Sequence, residues 1–243
     1  MKILQLRATA FITKNIGYTH DIAEEFRKIL DLDGQVKGII MPGVPINAFD
    51  QNEPQWGMPW SLVKQKGNDT VYNINFLPGK IDIIVNREAE YDSEVECEFL
   101  EKCSKWLIDI CNKVDAVTSR LAYAPLYVIQ NEIESELKVK WRKIVVLGSF
   151  EGSPVQDLNL SFNYKSEFEL GDKTVQLNLL HNIFDGTQTI QNKNLIKTSR
   201  VIMIQLDLNT IPSEDYRFSE SEVRLFFKNI TSVKTQIVKE LQV

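Results

Sequence analysis

The sequence predicts an α+β fold of two internally duplicated β-α-β-β-β-α units, residues 1–116 and 117–243. Together they form a mostly antiparallel sheet with long helices packed on it. Three observations predict this. An apolar strand pattern, Ile81-Asp82-Ile83-Ile84-Val85, leads through an acidic turn into an amphipathic helix opening Ser93-Glu94-Val95. The same order returns as Ile204-Gln205-Leu206-Asp207-Leu208 followed by Ser221-Glu222-Val223. Turn signals at Gly67-Asn68-Asp69, Pro78-Gly79 and Gly171-Asp172 join neighbouring strand patterns as hairpins do. No linker separates the units, so they can stand as two domains or as one continuous domain.

Taken in order, residues 3–12 read as a strand because alternation combines with β-branched and aromatic residues. Thr19 suits an N-cap, and Ile22, Phe26, Ile29 and Leu30 recur at helical spacing up to Asp33-Gly34. Four prolines and two glycines make 41–59 an irregular loop, with Trp56 and Trp60 as anchors at its end. Strands follow at Ser61–Lys66, Thr70–Phe76 and Lys80–Asn86. The helix Asp92–Val114 carries one apolar stripe: Val95, Phe99, Cys103, Trp106, Ile110 and Val114. Val117–Gln130 reads as one strand. Asn131–Val146 fits either a strand with a basic face or a helix, and the repeat favours the helix. Strands return at Val155–Leu170, Lys173–Leu180 and Arg200–Asn209, the last two separated by the polar stretch Asp185–Thr198. Ser219 caps a final helix whose stripe is Val223, Phe227, Ile230, Val233, Ile237 and Leu241.

The duplication rests on landmarks that recur in the same order. Arg7 to Phe11 faces Arg120 to Tyr123, Phe26 to Leu30 faces Trp141 to Val145, and Gly67 to Val71 faces Gly171 to Val175. Ile81-Asp82-Ile83 faces Leu206-Asp207-Leu208, and Ser93 with Phe99 faces Ser221 with Phe227. Each helix must bury its stripe on a sheet, since isolated amphipathic helices are marginal. The cleft between the copies is then the default ligand site.

Composition narrows the function classes. Hydrophobic residues make up 43% and charged residues 25%, as in a soluble globular protein. No apolar run approaches the ~20 residues that span a membrane, and no secretory segment opens the chain. Three cysteines without an even framework fit a reducing compartment, which places the protein in the cytoplasm. The net charge of −5 lies entirely in residues 1–116, which carry 13 Lys and Arg against 18 Asp and Glu. That balance opposes broad electrostatic binding of nucleic acid.

Chemistry-bearing residues are few. Only His20 and His181 are present, which excludes a histidine-rich metal hydrolase. The chain has no phosphate loop, no nucleophile elbow and no dinucleotide fingerprint, and no cofactor is implied. Asp82 and Asp207 interrupt apolar strands. They either ligate a divalent metal, with Asn86 or Asn209 adding an oxygen, or sit on an outer strand face paired with Lys80 or Arg200. Arg7 and Arg120 open the two units and either bind an anion or pair with Asp82 and Asp207. Glu94, Glu96 and Glu98 belong to an acidic cluster that either flanks a helix start or meets a basic partner. Lys138, Lys140, Arg142 and Lys143, with Trp141 among them, form either the basic patch that a nucleic-acid groove needs or a solvated helix face.

The stretch Leu206-Asp207-Leu208-Asn209 with Phe227 and Ile230-Thr231 resembles the C-terminal strand and helix of a widespread family of uncharacterised bacterial proteins of ~250 residues. The family pattern has a second acidic residue where this chain has Asn209, which puts an inherited metal role in doubt. The resemblance implies a bacterial protein of an accessory or defence-type locus. The expected function is a non-enzymatic binding or assembly protein with a protein partner or a second copy of itself. The alternatives are a metal-dependent phosphodiesterase or nuclease using Asp82 and Asp207, and a nucleic-acid-binding protein using the basic patch.

Overall fold

A computed structural model describes residues 1–32, 34–39, 56–66, 70–129, 159–192, 195–213 and 217–242. The chain is a mixed α+β protein with one large antiparallel sheet. Its first half gives β1 (Lys2–Ile12), α1 (His20–Ile29), β2 (Gln35–Gly38), β3 (Trp60–Lys66), β4 (Thr70–Leu77), β5 (Lys80–Glu90) and α2 (Ser93–Val114). The second half gives β6 (Thr118–Tyr123), β7 (Leu126–Ile129), β8 (Asn159–Leu170), β9 (Lys173–Asn192), β10 (Leu195–Thr210) and α3 (Glu220–Gln242). Strand order across the sheet is β2-β3-β4-β5-β1-β6-β10-β9-β8, with β7 continuing beside β1 and β10.

The centre of the sheet is the β1–β6 pair. Thr9 lies opposite Asp82 on β5 and opposite Ala122 on β6, and Ala122 lies opposite Asn209 on β10. Ala8 faces Tyr123 and Ala10 faces Leu121, so the pairing reads alike from either strand. Outward from this pair, one side runs β5, β4, β3 and the other runs β10, β9, β8.

Side chains alternate across the sheet, and one face is the core. Trp60, Phe76, Ile81, Ala10 and Leu121 form one buried row, and Leu62, Ile74, Ile83, Ala8, Tyr123 and Leu208 form the next. Ala8 and Ala10 are small enough for α2 to pack closely over β1. The stripe on α2 holds, with Phe99, Cys103, Trp106 and Ile110 buried, and is widened by Leu100, Leu107, Ile108 and Cys111. From α3, Val223, Phe226, Phe227, Ile230, Ile237 and Val238 are buried. Positive φ at Gly79 (64°) and Gly171 (68°) turns two hairpins in a conformation that glycine adopts freely.

Several sequence expectations need correction. Val117–Gln130 is two strands rather than one, because the chain breaks at Ala124-Pro125. Proline has no N–H to give the ladder, yet the pieces stay in the sheet through Ala124 N–H to Arg7 O (2.8 Å) and Leu206 N–H to Pro125 O (3.1 Å). The polar stretch 185–198 does not separate two strands. It belongs to the β9–β10 hairpin, paired from Asp185↔Ile202 out to Asn192↔Leu195. Pairing with β8 ends at Phe184 and pairing with β7 ends at Ile202. The outer part of the hairpin is therefore a two-stranded ribbon among the described residues, and polar residues suit it. Strand β2, which pairs with β3, was not expected. The 41–55 part of the proline-rich loop, the Gly67-Asn68-Asp69 turn and the whole stretch Asn131–Val146 lie outside the described residues.

The helix starts follow the expected chemistry. Thr19 Oγ1 accepts the Ile22 N–H at 3.1 Å. At α3, Ser219 and Glu222 form a capping box: Ser219 Oγ accepts from Glu222 N–H (3.3 Å) and Glu222 Oε2 accepts from Ser219 N–H (2.7 Å). Lys173 pairs with the other Glu222 oxygen at 2.8 Å. Burial pushes the Glu222 carboxyl up, but the Lys173 and Ser219 contacts outweigh it and leave it below its ordinary value. A carboxyl lowered by folding stabilises the fold above its unfolded pKa, about 4.3. That contribution disappears as pH falls through the folded value. Glu222→Gln is expected to cost roughly 0.5–1 kcal/mol near neutral pH, after discounting for solvent exposure, and distinctly less below about pH 3. Urea denaturation at both pH values checks this, and an equal cost at both would remove the ionic contribution.

Candidate functional site

Helices α2 and α3 lie antiparallel over the core face. Ser93 and Cys97 line a common cavity with Thr231 to Lys239, Glu101 and Ser104 line one with Arg224 and Lys228, and Asn112 Nδ2 donates to Glu220 Oε1 at 2.8 Å. The groove between them holds two adjoining cavities of about 480 and 350 Å³, which share Cys97 and Thr231.

Beneath the groove sits a buried ionic cluster. Lys234 of α3 and Glu96 of α2 form an ion pair with both side chains 1% exposed. The other Glu96 oxygen accepts from the Tyr123 hydroxyl on β6 and from the Tyr127 hydroxyl on β7, the latter at 2.8 Å. Lys234 Nζ also donates to Tyr91 Oη at 2.7 Å. An unpaired charge here would cost several kcal/mol, so each carboxylate oxygen and the ammonium must be satisfied, and they are. Burial first, and then neighbouring charge and the Glu96 hydrogen bond, push both the Tyr123 and Tyr127 phenols well above their ordinary value. They stay protonated and donate to Glu96 at neutral pH. Chemically, the cluster fastens α2, α3 and the β6–β7 strands together.

This overturns one sequence expectation. Glu96 is not a partner-facing residue; it is 1% exposed. Glu94 and Glu98 are exposed. A helix turns 100° per residue, so positions 94, 98 and 101 share a face while 96 points away from it. Along the outer surface, Glu94, Glu98 and Glu101 make no ion pair among the described residues, and neither do Arg224, Lys228 and Lys239 on α3.

The opposite sheet face carries the aspartates. Asp82 is buried; one oxygen accepts from Thr9 Oγ1 at 2.5 Å and the other pairs with Lys80 at 2.7 Å. Asp207 accepts from Asn209 Nδ2 at 3.0 Å. The two aspartates are not brought together. Asp82 shares its row with Asn209, three strands away, and strands are ~4.8 Å apart. One divalent ion reaches ligands at about 2.0–2.6 Å, so it cannot bind both. Nor do the aspartates occupy matching places, since Asn209, not Asp207, faces β6 as Asp82 faces β1. Among the described residues no group of three or more His, Cys, Asp or Glu is placed to hold a metal ion.

The expected arginine pairs are also absent. Arg120 donates to Asn209 Oδ1 (2.6 Å) and Thr210 O (3.0 Å), and lies 4.7 Å from the Phe11 ring centre. Arg7 has a buried Nε that makes no hydrogen bond. Of the cysteines, Cys103 and Cys111 are buried and their thiols are pushed up by that burial, while Cys97 is exposed in the groove. Lys138, Lys140 and Arg142 lie outside the described residues. No helix of the described residues is long and apolar enough to cross a membrane.

The ionic cluster was missed by sequence reasoning. Its one signal was Lys234, a cation between Val233 and Ile237 on the apolar side of a helix. No family model matches the chain, and no match to a curated protein or a solved structure was found.

Proposed function

We propose that the protein is a non-enzymatic binding and assembly protein of the bacterial cytoplasm, part of an accessory or defence-type system, and that it works through the α2–α3 surface. The observation that carries this is the groove itself. A buried ion pair locks the two helices in place; Glu101, Arg224, Lys228 and Lys239 line the cavities above it, exposed Glu94 and Glu98 flank them on α2, and none of the six has an ion-pair partner among the described residues. Rigid presentation of unsatisfied charge around a concave floor suits recognition. The three free cysteines accord with a reducing compartment.

The internal duplication belongs to the same reading. Support comes from the central strands, where Ala8↔Tyr123 and Ala10↔Leu121 exchange under a twofold axis through Thr9↔Ala122. The mirrored strand order β3-β4-β5-β1 and β6-β10-β9-β8 fits units of 1–116 and 117–243. The groove then lies between the equivalent helices of the two units.

The test is recovery of partners from the bacterial host after mild crosslinking. Tagged wild type and a Lys165→Glu control, changed at an exposed residue of β8 that lines neither cavity, are expected to retain the same specific partner. Glu94→Lys/Glu98→Lys is expected to lower its recovery at least fivefold, since reversed charges oppose a complementary surface. Equal recovery from all three proteins would remove the α2 surface from this role.

A further inference from the structure

We infer that the occupant of the α2–α3 face is a second copy of this chain, bound about a twofold axis parallel to the two helices. This rests on the binding role of that face and names its partner.

The outer edge of α2 is acidic over its first half, with exposed Glu94, Glu98 and Glu101. The outer edge of α3 is basic, with exposed Arg224, Lys228 and Lys239. The cavity linings fix their relative heights. Ser93 and Cys97 stand level with Thr231 to Lys239, and Glu101 stands level with Arg224 and Lys228. Opposite stripes therefore run side by side at matching height, separated by the groove. A twofold axis along the helix direction turns a second molecule over, so that its α3 lies on the first molecule's α2 without a shift in height. Glu94 of each copy then meets the Lys239 end of the other, and Glu101 meets Arg224 and Lys228. Such an interface is isologous, so each of these pairings occurs twice.

Its size sets the strength. Helices of 22 and 23 residues are about 33 Å long and about 10 Å wide each. The face offers roughly 650 Å² per copy, somewhat below the ~800 Å² per partner of stable complexes. The dimer is therefore reversible and weakened by salt, which screens exposed charge pairs over about 8 Å at physiological ionic strength.

Sedimentation equilibrium tests this with two surface variants. One carries Glu94→Lys, Glu98→Lys and Glu101→Lys; the other carries Arg224→Glu, Lys228→Glu and Lys239→Glu. Wild type is expected to approach twice the monomer mass as concentration rises, and to fall back as salt rises. Each variant alone is expected to stay monomeric, with circular dichroism confirming its fold, and an equimolar mixture to regain the dimer mass. A wild type that remains monomeric at low salt overturns the proposal, as does a dimer that survives in either variant alone. A monomeric wild type whose host partner is still lost in Glu94→Lys/Glu98→Lys would overturn the second copy and leave the binding role standing. Loss of neither would sink both.

Discussion

Lys234→Met is expected to destabilise the protein by about 3–5 kcal/mol, the cost of leaving one member of a buried ion pair uncompensated. For a chain of this length that corresponds to a fall in melting temperature of roughly 10 °C. Lys234 is 1% exposed, and its removal leaves the Glu96 carboxylate with two tyrosine donors and no cation. Glu96→Gln is expected to cost a similar amount for the mirror reason, since the ammonium would then face an amide. In Glu96→Gln/Lys234→Met the charges disappear together. The glutamine oxygen still accepts from Tyr123 and Tyr127, and the methionine fills the lysine's space. That double variant is expected to lie within about 1.5 kcal/mol of wild type, giving a large coupling energy in a double-mutant cycle. Chemical denaturation of the four proteins measures it. A Lys234→Met cost below about 1 kcal/mol would mean that water reaches the pair, as it does for surface ion pairs.

The cluster also shows where the sequence stopped being informative. Strands and helices follow local periodicity, so β3, β4, β5, α2 and α3 were legible within a few residues. Glu96 was grouped with Glu94 and Glu98 because they are neighbours in the chain. On a helix, residues two apart point 200° apart, so the period itself argued against the grouping. What period could not supply was the identity of the partners. Tyr123, Tyr127 and Lys234 lie 27 to 138 positions away and meet Glu96 only through the fold.

A second limit concerns alignment. Matching Ile81-Asp82-Ile83 to Leu206-Asp207-Leu208 implies an offset of 125, whereas the helix starts Ser93 and Ser221 imply 128. Strand pairing sets Asp82 against Thr9 and Asn209 against Ala122, an offset of 127. A strand displaced by two residues keeps the same faces in and out. Hydrophobic alternation therefore cannot tell the two alignments apart, and strand pairing sets Asn209, not Asp207, level with Asp82. The outer β9–β10 ribbon failed for another reason. Between Asp185 and Thr198 only Ile190, Leu195 and Ile196 are apolar, so alternation gives no strand signal and the composition looks like a loop.

Trp60→Ala is expected to cost about 3–5 kcal/mol, against less than about 0.5 kcal/mol for Trp56→Ala. The two tryptophans bracket one short turn and were equivalent in the sequence. Trp56 is 74% exposed, while Trp60 is 0% exposed. Trp60 stacks on Phe76 at 4.2 Å and on Phe26 at 6.1 Å, and meets Tyr18 edge-on at 5.8 Å. Its Nε1–H donates to Ile16 O at 3.1 Å, tying the β1–α1 connection to β3. Truncation removes the aromatic stack that seats α1 and leaves the Ile16 carbonyl without its donor. Trp60→Phe separates these effects. It keeps most of the packing and loses the hydrogen bond, so about 1–2 kcal/mol is expected. Urea unfolding of the three variants tests the ordering. A Trp60→Phe as damaging as Trp60→Ala would mean that the hydrogen bond, not the stacked rings, holds α1 on the sheet.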